Sequence, residues 1–97
     1  MAYRLRFSAR ALREAGEAQE WYQQQSQGLG EEFTASMELQ LKRLEQAPLL
    51  YAEVIPHIRR AFLPRFPYAL FYAVRGDIIH ILAVLHTARS PKLWPTR

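Results

Sequence analysis

The 97-residue chain has no cysteine, one aspartate, only four glycines and no long apolar run. The missing cysteine excludes a disulfide framework, a Cys-zinc site and a thiol nucleophile, so stability must come from packing, and a reducing cytoplasmic setting is expected. The longest apolar stretch, Ile78 to Leu85, is interrupted by His80 and falls far short of the roughly 20 residues a membrane helix needs. Met1 to Phe7 carry Arg4 and Arg6 with no apolar segment behind them. Neither a signal peptide nor a membrane association is expected. A chain of this length buries only about 60 to 65% of its unfolded surface, enough for one core, so residues 1–97 read as a single domain.

The scarcity of glycine and aspartate also limits the chemistry. Gly28-Leu29-Gly30 lies between two helical patterns and lacks the strand-turn-helix context of a phosphate loop. His57, His80 and His86 have no carboxylates at metal-ligand spacing. Asp77 falls in a turn, and Ser8 is better placed as a helix cap than as a nucleophile. No cofactor and no metal are expected.

What the chain does have is charge divided along its length. Residues 1–10 and 54–97 together carry ten Arg or Lys against Asp77, a net of +9, whereas residues 11–53 carry eight Glu against Arg13, Lys42 and Arg43, a net of −5. The overall +4 therefore conceals a basic surface suited to an acidic partner or a polyanion.

Tyr3, Leu5 and Phe7 alternate with Arg4 and Arg6, the period of a strand over 1–8. Helical spacing follows over 9–47. Ala11, Ala15, Ala18 and Tyr22 form one stripe, with Leu12 and Trp21 beside it; after the glycine turn, Phe33, Met37, Leu41 and Leu44 form another. These predict an antiparallel helical hairpin ended by Pro48. Ile58 to Leu63, Tyr68 to Arg75 and Ile78 to Leu85 read as three strands of an antiparallel meander within 57–86, with 87–97 as a tail. A type II′ turn at Gly76-Asp77 would set residue 74 opposite 79, 72 opposite 81 and 70 opposite 83. Leu70, Val74, Ile79, Ile81, Ala83 and Leu85, with Tyr68 and Tyr72, would then share the face that receives the helices. The other face would carry Arg75, His80 and His86 among Phe71, Leu82 and Val84. The fold class is α+β, with helices on one face of a twisted sheet.

Metal-free RNA cleavage needs a proton donor, a base and cations around one phosphate. His86, Arg60, Arg65 and Arg89 are the candidates, set against the plainer reading of solvated strand charges and a histidine bonded to nearby backbone. Trp21, Tyr22, Arg75, His80 and Trp94 are the candidate partner-binding residues. For Trp21 and Tyr22 the competing reading is packing within the hairpin.

Taken in order, these features resemble the RelE/ParE superfamily of bacterial toxins, in particular its ParE-like members. The resemblance rests on Ser8-Ala9-Arg10-Ala11 after the opening strand, Trp21-Tyr22, Gly28-Leu29-Gly30 before Phe33, Pro48, Arg65-Phe66-Pro67-Tyr68 leading into Phe71-Tyr72, and His86-Thr87-Ala88-Arg89-Ser90-Pro91 with Trp94. It implies a helical hairpin on a mainly antiparallel sheet, a toxin of a type II pair of the plasmid-stabilising kind, and a cognate antitoxin that assembles with it. It also implies either of two targets. ParE-like members interfere with DNA gyrase, which is the leading expectation because the strands contain no lysine and Thr87 stands where a tyrosine would help cleavage. RelE-like members cut mRNA on the ribosome. A binding module without toxicity is the third alternative.

Overall fold

The computed structural model describes residues 2–88, so Arg89 and Trp94 lie outside the described residues. Strand β1 (Arg4–Phe7) leads into helix α1 (Ala9–Gln25), which turns back through α2 (Leu29–Gln46). A 3₁₀ turn (Pro48–Leu50) then precedes β2 (Glu53–Ile55), β3 (Ile58–Phe62), β4 (Tyr68–Arg75) and β5 (Ile78–His86). The five strands form one sheet in the order β1-β5-β4-β3-β2, antiparallel except for β1 beside β5. The α+β class holds, with two additions to the expected meander. β2 is three residues long and exposed, too short to leave a periodic signal, and the parallel place of β1 depends on a chain crossover that local sequence does not encode.

Ser8 makes the junction between strand and helix. Its side chain accepts the Ala11 N–H at 2.9 Å as an N-cap and donates to the Leu82 carbonyl at 3.1 Å, while its own N–H reaches the Ile81 carbonyl. The alanine stripe then buries Ala11, Ala15 and Ala18. Small side chains there bring α1 close to its partners. At the far end Gly28, at φ 89, makes the tight reversal, and Gly30 sits so near α1 that a Cβ would lie 2.8 Å from the Gln19 carbonyl.

The main core joins Phe33, Leu41 and Leu44 of α2 to Leu70, Tyr72, Ile79, Ile81 and Val84 of the sheet. Tyr22, Phe33, Phe66 and Tyr68 form an aromatic cluster with centroids 4.9 to 6.1 Å apart. Trp21 is different: it meets Tyr22 edge-on at 5.1 Å but stays 55% exposed, so it does not pack into the hairpin.

The expected facing of β5 needs correction. Val74 pairs with Ile79 and Tyr72 with Ile81, as the Gly76 turn predicts, but Phe71 then pairs with Ala83 and Leu70 with Val84. Leu82 is the extra residue of a β-bulge. Beyond it every side chain changes face: Val84 joins the helix-side core, and Ala83 and Leu85 join Ala69 and Phe71 in a second apolar cluster on the opposite side. His86, across from Tyr68 and edge-on to its ring at 5.3 Å, moves to the helix side as well.

Candidate partner surface and edge cleft

The sheet face away from the helices is organised in cross-strand rows. Nearest the Gly76 turn, Arg4, Ile78 and Arg75 lie side by side; Arg6, His80 and Ala73 form the next row. Beyond the bulge come Ala83, Phe71 and Arg60, then Leu85, Ala69 and Phe62. One end of the face is therefore cationic and the other apolar. Arg60 joins them, its guanidinium 4.7 Å from the centre of the Phe62 ring. Phe62 is 53% exposed, and Ile58 packs at the margin of the buried cluster.

Among the described residues, charge on this face is poorly neutralised. Asp77 approaches Arg4 at 3.9 Å with both side chains well exposed, a contact of small energetic weight. Arg59, on the other side of β3, is instead committed to structure: it donates to the Tyr51 carbonyl at 2.6 Å and pairs with Glu53 at 3.5 Å.

The residues considered for RNA cleavage are spread out. Arg60 lies on the open face. Arg65 sits at φ 72 in the β3–β4 loop and pairs with Glu32 of α2 at 3.2 Å. His86 faces the helix side, where its Nδ1 accepts the Ala88 N–H at 3.1 Å. Of the partner-binding candidates, Arg75 and His80 share the open face, whereas Trp21 and Tyr22 belong to α1 on the other side. Arg4, Arg6 and Arg60 were not among the expected partner-binding residues. The alternation of Arg4 and Arg6 with Leu5 and Phe7 signals their facing, but only the β1–β5 pairing sets them beside His80.

A second concavity lies at the sheet edge. β1 stops at Phe7, opposite Ile81, while β5 continues to His86. Between this stretch and α1 is an open cleft of about 780 Å³ lined by Arg10, Glu14, Trp21, Tyr68 and His86, among others. Glu14 accepts the Val84 N–H at 2.9 Å through one carboxylate oxygen and the Arg10 Nε at 2.9 Å through the other. Burial, reinforced by the nearby Tyr68, raises the pKa of the Tyr22 hydroxyl in the same wall above the tyrosine value of 10.0. Among the described residues no three His, Asp or Glu side chains converge as a metal site, and no helix is long and apolar enough to cross a membrane.

The family model for the ParE toxin of type II toxin-antitoxin systems, parDE, matches residues 5–91. This chain belongs to the ParE toxin family. Toxin ParE2 of Mycobacterium tuberculosis, from strains CDC 1551 / Oshkosh and H37Rv, is 38% identical over 50 residues, covering 52% of this chain and 48% of the relative. The chain thus aligns with about half the length of these ParE relatives. A chain of the chromosomal ParDE toxin-antitoxin system from P. aeruginosa has the same fold, with a TM-score of 0.70 and 21% identity over 87% of this chain and 95% of that one.

Proposed function

We propose that this ParE-family toxin acts on DNA gyrase through protein contacts and is silenced by a cognate antitoxin lying across the open sheet face. The observation that carries the gyrase reading is the separation of Arg60 from His86 on opposite faces of one sheet, because metal-free cleavage needs acid, base and cations around one phosphate. The family resemblance supplies the target. Purified protein should then increase the linear DNA trapped when gyrase and supercoiled plasmid are quenched with detergent. No increase with the protein in excess refutes the reading.

The antitoxin is assigned by chemistry. A segment with acidic residues toward Arg4, Arg6, Arg75 and His80 and apolar residues toward Phe62 and Leu85 complements the rows of this face. Co-expression with the adjacent reading frame should give a complex that weakens in high salt and with Arg6→Glu or Arg75→Glu.

Ribosome-dependent mRNA cleavage is the second reading. It is favoured by one feature: His86 and Glu14, two groups able to move protons, line the same cleft. Under it, His86→Ala lowers the cleavage step by about 10² to 10⁴ while antitoxin binding persists.

A further inference from the structure

β5 is an edge strand only over its last residues. The Thr87 N–H donates to the Pro67 carbonyl at 2.8 Å, which sets the alternation at this end: Ala83, Leu85 and Thr87 turn their backbone groups towards β4 and its approach, and Val84 and His86 turn theirs outward. Glu14 takes the outward Val84 N–H, and the Ser8 hydroxyl takes the Leu82 carbonyl. No described backbone segment pairs with Val84 or His86 on that side. Side chains thus occupy the positions that a further strand would fill.

We infer that this edge is a strand-docking site for an extended segment of a partner protein, with apolar residues at alternate positions and a lysine or arginine beside Glu17. An extended segment continuing the line of β1 would gain main-chain hydrogen bonds from Val84 and His86, and its side chains turned to α1 would meet Trp21 at one end and Glu17 with the Arg10–Glu14 pair at the other. Glu14 acts as a displaceable guard. A carboxylate on an edge N–H discourages indiscriminate pairing, and a strand that displaces it leaves Glu14 paired with Arg10 while its own cation meets the exposed Glu17. Glu17 argues against a second copy as occupant, since antiparallel pairing of two β5 edges would bring the Glu17 side chains of both copies together without the lysine or arginine they call for. This inference does not depend on the identity of the toxin's target.

The test uses the full chain and a blocked nine-residue peptide alternating valine with threonine and lysine, read by amide hydrogen exchange. The Val84 and His86 amides should slow by roughly ten-fold or more at saturating peptide. Glu17→Gln, at an exposed position, should weaken the peptide by roughly two- to five-fold, and a glutamate-for-lysine peptide should bind more weakly still. Unchanged exchange at both amides overturns the proposal, as does protection centred on Arg6 and Arg75. Concentration-dependent protection without peptide overturns it in favour of a second copy.

Discussion

The Tyr72 hydroxyl donates to the Pro48 carbonyl at 2.6 Å inside the core, tying the end of the helical hairpin to the middle of the sheet. Pro48 cannot continue α2, and the 3₁₀ turn it begins leaves a buried carbonyl that water cannot reach. Tyr72→Phe keeps the ring but strands that carbonyl. It should cost about 1 to 3 kcal/mol in urea unfolding. A cost near zero would mean that the contact contributes nothing net.

The same residue gives stability an alkaline limit. Burial pushes the Tyr72 hydroxyl far above the tyrosine value of 10.0, with Tyr51 adding to the rise and Arg59 opposing it; burial raises Tyr22 too. A raised folded pKa favours the neutral form. Its stabilisation is complete below pH about 10 and is lost as pH climbs above the unfolded value. Urea midpoints measured from pH about 9 to 11.5 should fall, and Tyr72→Phe should flatten the decline. Equal slopes in parent and variant would contradict this assignment.

Two glycines should respond in opposite directions. An added Cβ at Gly30 meets the Gln19 carbonyl at 2.8 Å and Gln23 at 3.0 Å, so Gly30→Ala should lose about 1 to 3 kcal/mol by forcing the helices apart. At Gly16 nothing lies within 4 Å, and Gly16→Ala should gain about 0.5 to 1 kcal/mol from helix propensity. Thermal melts of the pair check both signs.

Ser8→Ala removes the α1 cap and the hydroxyl that holds the Leu82 carbonyl at the bulge. A loss of about 1 to 2 kcal/mol is expected, the upper part of the range for a cap, because a second contact goes with it. Ser8→Thr keeps an oxygen for both roles and should recover most of the loss.

How far the sequence specifies this protein depends on the range of the interaction. The alanine stripe, the Phe33 to Leu44 stripe, Ser8 and Pro48 act within a few residues, and each takes its expected place. Gly76, at φ 59, fixes the start of the β4–β5 register correctly as well. The bulge at Leu82 was not legible, because the residues that serve it, Ser8 and Glu14, come from the other end of the chain. Without it, the hairpin register alone sets Ala83, Leu85, Val84 and His86 on the faces opposite to those they occupy. The basic face was half legible: Arg75 and His80 follow from the hairpin, but their neighbours Arg4 and Arg6 require the parallel pairing of the two ends of the chain.

The most direct test of the functional account is to induce this chain in cells without its antitoxin while mapping mRNA 5′ ends and DNA-damage signalling together. The account predicts growth arrest with a DNA-damage response, intact mRNA early after induction, and rescue by the co-expressed antitoxin. Early ribosome-dependent mRNA cuts without a damage response would contradict it.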